Sequence, residues 1–279
     1  MVTIIADSTC DLPEPMYAEY DIRTIPLKVS IANATYLDKS EVDTQMLFRM
    51  VQQYKQMPIT SAPSPNQYKE AFEQGLRDGD SVICFTCSSA LSGSYQSACV
   101  AAEMVDGKVD VIDTRTAAEG SGLSLLDGAR MARAGVPHDT IVQHCRKRVA
   151  SLRTLIVLDT VEYLRRGGRI SAVSARMASV LNIKPIINVL KDGSNAVIHK
   201  ARSYSKAMEW VLRYVLETGR DLKNQTIGVG YSSVQEPALK FIELLKRHVQ
   251  PKEIIFAGIG SVVGTHIGPN AFGVFWEEK

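Results

Sequence analysis

The sequence predicts an α/β protein with a parallel-sheet N-terminal domain and a mixed α/β C-terminal domain. Over the first 150 residues, short apolar segments alternate with longer amphipathic segments. This order is typical of βαβ units, which form parallel sheets with helices on their faces. In the second half, two β-rich segments flank the turn at residues 191–194. They predict an antiparallel hairpin, and therefore a sheet of mixed direction.

The elements of the first half are bounded by turn and capping residues. Asp43 is a typical N-cap of an amphipathic helix, and the sequence Gly135-Val136-Pro137 ends one helix and starts the next. Strands are predicted at residues 3–6, 22–31, 81–87 and 109–112. Helices are predicted to open at residues 12–15 and to cover residues 43–54, 64–77, 92–104, 118–134 and 137–151.

The second half has a lower ratio of predicted helices to predicted strands than the first half. Strands are predicted at residues 153–158, 184–190, 195–203, 226–231, 253–257 and 271–276. Helices are predicted at residues 206–217 and 236–248. We place a domain boundary between residues 155 and 156, which gives an N-terminal domain of residues 1–155 and a C-terminal domain of residues 156–279. Because the sequence has no flexible linker there, we expect the two domains to pack tightly.

The charge balance and the cysteines exclude several classes of protein. Lys and Arg total 32 against 30 for Asp and Glu, so no global field attracts nucleic acid. No segment approaches the roughly 18 apolar residues of a membrane span, and the N-terminus lacks the pattern of a signal peptide. The five cysteines, spread from Cys10 to Cys145, are typical of reduced thiols. We therefore expect a cytoplasmic protein that does not bind nucleic acid.

Two hydroxyl-rich segments precede predicted helices. The sequence Ser92-Gly93-Ser94 follows the predicted strand at 81–87, at the sheet edge where parallel α/β proteins bind ligands. A helix N-terminus offers unpaired N–H groups that suit an anion. Thr60 and Ser61 precede a Pro-x-Pro sequence, which keeps the backbone extended. Alone, the Ser92 segment is equally well explained as an ordinary N-cap, and the Thr60 segment is most often just a capped helix start.

A basic segment and a glycine-rich segment are further candidates. Arg165, Arg166 and Arg169 surround two glycines, so a guanidinium could bind an anion or a partner's phosphate, although a solvated basic turn explains the same residues. The segment 258–270 has a displaced third glycine, and too few residues follow it for a dinucleotide-binding unit. It is predicted to be a loop that holds His266, a candidate site residue.

Familiar catalytic and metal-binding motifs do not occur in the sequence. It has no G-x-S-x-G elbow, no Walker A sequence and no HExxH motif, so we expect neither a metal site nor an enzyme. Cys84 and Cys87 have CxxC spacing, but they lie along a predicted strand and are assigned to the core. One enzymatic alternative stays open, an esterase or acyltransferase with Ser92 as nucleophile and His266 as base.

Five segments, in this order, resemble the DegV family of fatty-acid-binding proteins. They are DSTCDLP at 7–13, TSAPS at 60–64, SSALSGSYQS at 88–97, YLRRGGRI at 163–170 and HIGP at 266–269. The resemblance implies a two-domain DegV-like fold with a buried lipid cavity. It implies a non-catalytic protein that binds a long-chain fatty acid such as palmitate and needs no cofactor. In bacteria, such proteins present the carboxylate of the fatty acid to the separate catalytic subunit of a fatty acid kinase, which forms the acyl phosphate.

The resemblance also implies roles for single residues. Thr60 and Ser92 match the hydroxyls that bind the carboxylate, and His266 matches a histidine near the head group. The neighbours that could add hydrogen-bond donors are Ser61, Gly93 and Ser94. The arginines that match residues linked to phosphoryl transfer or kinase docking are Arg169 and Arg202. The chain departs from the family pattern at Ala62, Ser94 and Asn270, which leaves the hydroxyl pair intact.

The chemistry of a fatty acid sets what such a site must provide. Each buried CH₂ contributes about 0.8 kcal/mol, so a tail of about sixteen carbons gains on the order of 10 kcal/mol. A membrane offers the tail the same gain, so the protein must enclose it almost completely, and transient membrane contact is compatible with this exchange. The carboxylate needs hydrogen bonds, which we expect Thr60, Ser92 and His266 to supply without a salt bridge.

Overall fold

The computed structural model describes residues 1–171 and 183–279, and these residues form three β-sheets. The first is a parallel sheet with the strand order β2-β1-β6-β7. Its strands are β1 (Val2–Asp7), β2 (Ile22–Ile25), β6 (Ser81–Thr86) and β7 (Lys108–Asp113). The parallel N-terminal sheet expected from the sequence is therefore confirmed.

The second sheet has three antiparallel strands and was not expected from the sequence. It has the order β4-β3-β5, with strands β3 (Lys28–Ile31), β4 (Ala34–Leu37) and β5 (Ile59–Ser61). The single strand predicted at 22–31 is wrong, because Pro26 follows β2 and cannot donate a backbone hydrogen bond to a sheet. The chain therefore leaves the parallel sheet and enters a different one.

The third sheet has six strands in the order β10-β9-β8-β13-β11-β12. Its strands are β8 (Leu152–Val157), β9 (Lys184–Val189), β10 (Asn195–Ala201), β11 (Thr226–Tyr231), β12 (Glu253–Gly258) and β13 (Phe272–Glu277). Only the pair β11 and β12 is parallel, and β9 and β10 form the expected antiparallel hairpin. The mixed sheet predicted for the second half is confirmed.

In the part of the chain that the structure describes, the α-helices lie close to the ranges predicted for them, with two additions. They are α1 (Glu14–Glu19), α2 (Thr44–Tyr54), α3 (Pro65–Asp78), α4 (Ser94–Ala102), α5 (Glu119–Arg133), α6 (His138–Ser151), α7 (Glu162–Arg166), α8 (Tyr204–Thr218), α9 (Glu236–His248) and α10 (Ser261–Ile267). Asp43 caps α2 by accepting a hydrogen bond from the Met46 N–H, as expected. The additions are α7 and α10. None of the helices in the described part of the chain is long and apolar enough to cross a membrane.

The parallel sheet is covered on both faces, because successive residues of a strand point to opposite sides. Ile5 and Cys84 face α3 and α4, in a cluster that includes Phe72. Ile4 and Phe85 belong to a second cluster, which contains residues of α5 and α6. Every residue of β6 is buried, so Cys84 is a core residue, as expected.

Helix α5 packs between the parallel sheet and the six-stranded sheet, with contacts to β1 and β11. Glycines allow this close approach. A Cβ at Gly122 would lie 2.0 Å from the Asp11 carbonyl oxygen, and one at Gly120 would lie 2.8 Å from the Phe275 ring. One hydrophobic cluster therefore contains residues from both halves of the chain. The boundary placed between residues 155 and 156 lies within β8, and the division into two domains stays a prediction.

Candidate functional site

A cavity of about 100 Å³ lies between the carboxyl ends of the parallel strands and the face of the six-stranded sheet. One water needs roughly 10–15 Å³ on the same measure, so the cavity has room for a larger ligand. Thr9 and Cys87, which follow β1 and β6, line one side, and Ile156 and Phe275 line the opposite side. Most of the lining is apolar, and the polar groups are few, as is typical of a small-molecule site.

Thr60 and His266 meet in this cavity although 206 positions separate them in the sequence. Thr60 lies in β5, where it pairs with Val29 of β3, so its side chain has the fixed direction of a strand residue. His266 lies in the last turn of α10. The Thr60 Oγ1 and the His266 Nε2 are 2.9 Å apart, within hydrogen-bond distance.

His266 is neutral in the folded protein. Burial disfavours the charged imidazolium, and the nearby Arg169 guanidinium adds repulsion, so the pKa of His266 falls from its ordinary value of 6.5 to about 4. Among the described residues, nothing bonds to its Nδ1. Because a buried unpaired N–H is rarer than an unpaired lone pair, the proton belongs on Nε2. Nε2–H then donates to Thr60 Oγ1, which leaves the Thr60 hydroxyl proton free for a ligand.

The helix that carries His266 corrects the loop predicted at 258–270. Asp38 Oδ1 accepts hydrogen bonds from the backbone N–H of Ser261 at 2.9 Å and of Val262 at 3.3 Å. Asp11 Oδ2 accepts one from the Gly260 N–H at 3.1 Å. These two carboxylates satisfy N–H groups that a helix start leaves unpaired. The N-terminal half of the chain therefore holds α10, and with it His266.

Ser92 and Gly93 line the same cavity from the turn before α4. A Cβ at Gly93 would have no heavy atom within 4 Å, so the glycine leaves this side of the turn open. Ser94 is fully buried behind Ser92, with the two hydroxyl oxygens 3.0 Å apart. The Ser92 Oγ also accepts a hydrogen bond from the Ser94 N–H at 3.2 Å. Ser94 is therefore placed to orient Ser92.

Arg169 lies in the lining of the cavity. Its Nε donates a hydrogen bond to the carbonyl oxygen of Leu91 at 3.1 Å, which ties the guanidinium to the turn that carries Ser92. Asn195 supports it from β10, because the Asn195 Nδ2 donates to the Arg169 carbonyl oxygen at 3.0 Å. Arg169 therefore places a guanidinium in the lining of the cavity that also holds both hydroxyls, and the expectation that the carboxylate is bound without a salt bridge stays a prediction.

Three predicted site residues do not line the cavity, and one of them is Ser94, which lies behind Ser92. Ser61 is exposed, because it follows Thr60 in β5 and successive strand residues point to opposite sides. Arg202 is exposed just after β10 and borders a separate surface depression with Trp210 and Arg213. The structure therefore groups Thr60, Ser92, Gly93, His266 and Arg169 around the cavity. Ser61, Ser94 and Arg202 lie outside this group.

The geometry does not suit Ser92 as a nucleophile activated by His266. The imidazole Nε2 is engaged with Thr60, and the Ser92 hydroxyl bonds to Ser94. A general base works best with a pKa near the working pH, whereas the pKa of His266 is about 4. The nucleophile and its base also need to be within hydrogen-bond reach of each other. The arrangement fits hydrogen-bond donation better than proton abstraction.

A second group of polar residues has a different explanation. Ligand atoms of Asp110, His138 and Asp139 lie within 4.8 Å of one another, a proximity that the scattered histidines in the sequence did not indicate. Lys108 pairs with Asp139 at 2.7 Å, and Arg146 pairs with Asp110 at 2.8 Å. Because a cation already neutralises each carboxylate, the group is a network of ion pairs rather than a metal site.

Sequence reasoning missed the residues that build the walls of the cavity and hold its histidine. Asn195, Thr154 and Phe275 come from the six-stranded sheet, and no local motif marks them. Asp11 and Asp38 act on α10 from positions more than 200 residues away. Asp11 lies in the DSTCDLP segment, which belongs to the family resemblance. The sequence analysis gave Asp11 itself no role in the site.

Comparison with known proteins identifies the family. Residues 1–279 match the family model described as "Uncharacterised protein, DegV family". A DegV domain-containing protein of Caldanaerobacter subterraneus is 34% identical over 279 residues, covering 100% of this chain and 99% of the relative. Among solved structures, a fatty-acid-binding DegV family protein from Thermus thermophilus has a TM-score of 0.94 and 28% identity, with 100% of this chain and 99% of that chain covered.

A stearic-acid-binding protein from Eubacterium ventriosum gives a similar result. Its TM-score is 0.89 and its identity 28%, again with 100% of this chain and 99% of that chain covered. The fold therefore agrees with these structures over its whole length. The family model and the relative above 30% identity both indicate the DegV family. The chain belongs to the DegV family.

Proposed function

We propose that this protein binds a long-chain fatty acid, with the carboxylate at Thr60 and Ser92 and the tail in the apolar part of the cavity. The observation that carries the proposal is the Thr60–His266 pair in a cavity lined mostly by apolar side chains. Support also comes from the similar structures, two of which are described as binding fatty acids. We propose further that the protein is not itself a catalyst.

The donors around the carboxylate follow from the tautomer of His266. His266 donates to Thr60, so the Thr60 hydroxyl proton is available to one carboxylate oxygen. The Ser92 hydroxyl lies in the same lining and supplies a second donor. The positive charge of Arg169 offsets the cost of taking a carboxylate out of water. Ser61 and Ser94 do not line the cavity, so we give Ser94 a supporting role and Ser61 none.

The finer proposal concerns a partner. A carboxylate held by hydroxyl donors keeps an oxygen lone pair for attack on a phosphate, so we propose that a separate fatty acid kinase subunit phosphorylates the bound fatty acid. Arg169 lies beside the proposed carboxylate site and suits the stabilisation of a phosphate. Arg202 lies in an exposed group of cations with Arg213, so we propose it as a docking residue.

Binding is tested by displacement of a fluorescent fatty acid. Hydrogen bonds to a charged group contribute about 1.5–3 kcal/mol, so Thr60→Ala and Ser92→Ala should each weaken binding about tenfold to a hundredfold. Ser61→Ala is the matched control, because it removes a neighbouring hydroxyl that points away from the cavity, and its affinity should equal that of the wild type. Equal affinities for all four proteins would refute the placement of the carboxylate.

Native mass spectrometry tests the ligand class without a chosen probe. Protein purified gently from cells should carry an acyl chain as a mass increment, and fatty acid extracted from it should account for that mass. A protein that is purified without ligand and also fails to bind any added fatty acid would overturn the proposal.

The kinase step is tested by acyl-phosphate formation with the catalytic subunit. We expect Arg202→Ala to bind fatty acid normally and to slow acyl-phosphate formation, since Arg202 lies outside the cavity. Arg169→Ala should lower both quantities, because Arg169 lines the cavity. Lys240→Ala serves as a control, since it removes an exposed cation that is paired with Glu236. Equal rates for the Arg202 and Lys240 variants would exclude the docking role.

A further inference from the structure

Polar groups line the cavity beside the proposed carboxylate site, in addition to the donors already described. Thr116 follows β7 and Thr154 lies in β8, and their hydroxyl oxygens are 3.0 Å apart in the lining of the cavity. The Ser88 N–H donates to the Thr116 carbonyl oxygen at 2.8 Å, and the Ser92 N–H donates to the Ser88 carbonyl oxygen at 3.0 Å. The two threonines therefore lie close to the turn that carries Ser92.

Asn195 lies at the same end of the cavity. It lines the cavity from β10, where it pairs with Val189 of β9, another lining residue. Its Nδ2 donates to the Arg169 carbonyl oxygen at 3.0 Å, and the Arg169 Nε donates to the carbonyl oxygen of Leu91, the residue before Ser92. Asn195 is therefore also a neighbour of the head-group residues. We call Asn195 and the two threonines the polar wall.

One oxygen of the polar wall is left for a ligand. The two threonine hydroxyls bond to each other. The Asn195 Oδ1 is buried, and nothing in the described part of the chain bonds to it. The amide cannot turn its Nδ2 to the cavity without losing the hydrogen bond to Arg169. Asn195 therefore offers an acceptor, and a buried acceptor without a donor lowers the stability of any complex that leaves it unpaired.

An unsubstituted fatty acid has no donor for this oxygen. Its carboxylate is ionised at neutral pH and only accepts hydrogen bonds, as the Thr60 and Ser92 hydroxyls require. Its methylenes donate none. A hydroxyl on one of the first carbons of the chain supplies the donor, and its own oxygen can accept a hydrogen bond from a threonine hydroxyl of the polar wall.

We infer that the protein prefers fatty acids with a hydroxyl on carbon 2 or 3, and that this hydroxyl donates to the Asn195 Oδ1. The inference rests on the proposed function and narrows its ligand class. Such an acid makes one more hydrogen bond than palmitate and leaves no buried acceptor unpaired. We expect 2-hydroxypalmitate or 3-hydroxypalmitate to bind at least about fivefold tighter than palmitate.

The test compares these acids by displacement of a fluorescent fatty acid. The control ligand is 16-hydroxypalmitate, which carries the same group at the far end of the tail. Its hydroxyl has to leave water for an apolar lining, so it should bind more weakly than palmitate. A general preference for hydroxylated acids would instead raise the affinity of all three hydroxy acids.

Asn195→Leu tests the role of the amide, because leucine keeps the branched shape of the side chain and removes the acceptor. The variant also loses the hydrogen bond to Arg169, so the measured quantity is the ratio of the palmitate Kd to the hydroxy acid Kd. We expect this ratio to fall to about one. The control is Asn188→Leu in β9. Asn188 adjoins Val189 and so points to the opposite face of the sheet, away from the cavity, and its variant should keep the wild-type ratio.

Two outcomes would overturn the inference. One is a wild type that binds palmitate at least as tightly as both the 2-hydroxy and the 3-hydroxy acid, which would mean that the Asn195 oxygen is satisfied by water. The other is an Asn195→Leu variant that keeps the full preference. If the leucine variant does not fold, Asn195→Ala removes the same oxygen and should give the same ratio. A wild type that binds none of the four acids would instead contradict the proposed function.

Discussion

Gly167 shows how closely a single residue constrains the candidate site. A Cβ at this position would lie 2.2 Å from His266 Nδ1, so even alanine requires the imidazole to move. We expect Gly167→Ala to break the Thr60–His266 hydrogen bond and to weaken fatty acid binding about fivefold to tenfold, the contribution of one neutral hydrogen bond. Displacement of a fluorescent fatty acid measures this effect.

The double variant Gly167→Ala with Thr60→Ala gives the control. If the glycine acts through the hydrogen bond, its substitution should have little further effect once Thr60 has lost its hydroxyl. Fully additive losses would show that Gly167 affects binding by another route.

The pKa of His266 also predicts how the free energy of unfolding depends on pH. Its pKa is about 4 in the folded protein, against an ordinary value of 6.5. Between these values the unfolded chain binds a proton that the folded chain does not, so the free energy of unfolding falls as the pH is lowered. From pH 7 to pH 5 this contribution amounts to about 2 kcal/mol. Urea unfolding at both pH values measures the fall.

Comparison with His266→Gln isolates the histidine from the other titrating groups. Glutamine removes the titration and retains an N–H donor for Thr60. Burial raises the pKa of Asp7 and, to about 6, of Asp11, but both groups are present in both proteins. The wild type should therefore lose more stability than the variant between pH 7 and pH 5. If both proteins lose the same free energy of unfolding between pH 7 and pH 5, His266 is not the group that causes the loss.

At the scale of elements, the capping of α10 links the first half of the chain to the site. Asp38 accepts hydrogen bonds from Ser261 and Val262 through Oδ1, and from the Ser8 hydroxyl through Oδ2 at 2.7 Å. Asp38→Ala leaves these donors unpaired in a buried place, where each costs about 1–3 kcal/mol. We expect a loss of at least about 2 kcal/mol in the free energy of unfolding, together with weaker fatty acid binding, because α10 carries His266.

Ser203→Ala is the matched variant for this prediction. Ser203 is also an N-cap, since its side chain accepts from the Lys206 N–H at the start of α8, but it is exposed and does not line the cavity. It should cost about 1 kcal/mol and leave the affinity unchanged. If Asp38→Ala is destabilised but binds fatty acid as tightly as the wild type, the cap does not position His266.

The same helix explains why the sequence predicted some elements and not others. Asp43 and α2 were predicted because the cap and the amphipathic period are both local signals. Helix α10 was missed because its capping carboxylate, Asp38, lies 223 positions away. The three residues of β5 form a strand only by pairing with β3. The hydroxyls of the site were therefore recognised from the sequence, whereas their meeting with His266 depends on tertiary contacts.

At the scale of the whole molecule, the two halves share a core and a cavity. Helix α5 contacts both large sheets, and one hydrophobic cluster contains Phe85 from the first half and Phe275 from the second. Neither half can bury these side chains alone. The chain should therefore unfold in a single cooperative step, although its length would also allow two separate domains.

The two tryptophans allow a direct test of this cooperativity. Trp210 and Trp276 both lie in the second half, and Trp276 is fully buried in the core around β13. Tryptophan fluorescence therefore reports the second half, whereas far-UV circular dichroism reports the whole chain. We expect thermal transitions measured by the two probes to coincide. Separate transitions would show that the halves unfold independently.

Addition of fatty acid extends the test, because the cavity is lined by both halves. A ligand at one hundred times its Kd stabilises the folded state by about 2.7 kcal/mol. We expect palmitate to raise the midpoint by several degrees, and by the same amount in both probes, since a ligand that contacts both halves stabilises them as one unit. A shift in the fluorescence transition alone would mean that the fatty acid binds only to the six-stranded sheet, and Thr60 and Ser92 could then not be its partners.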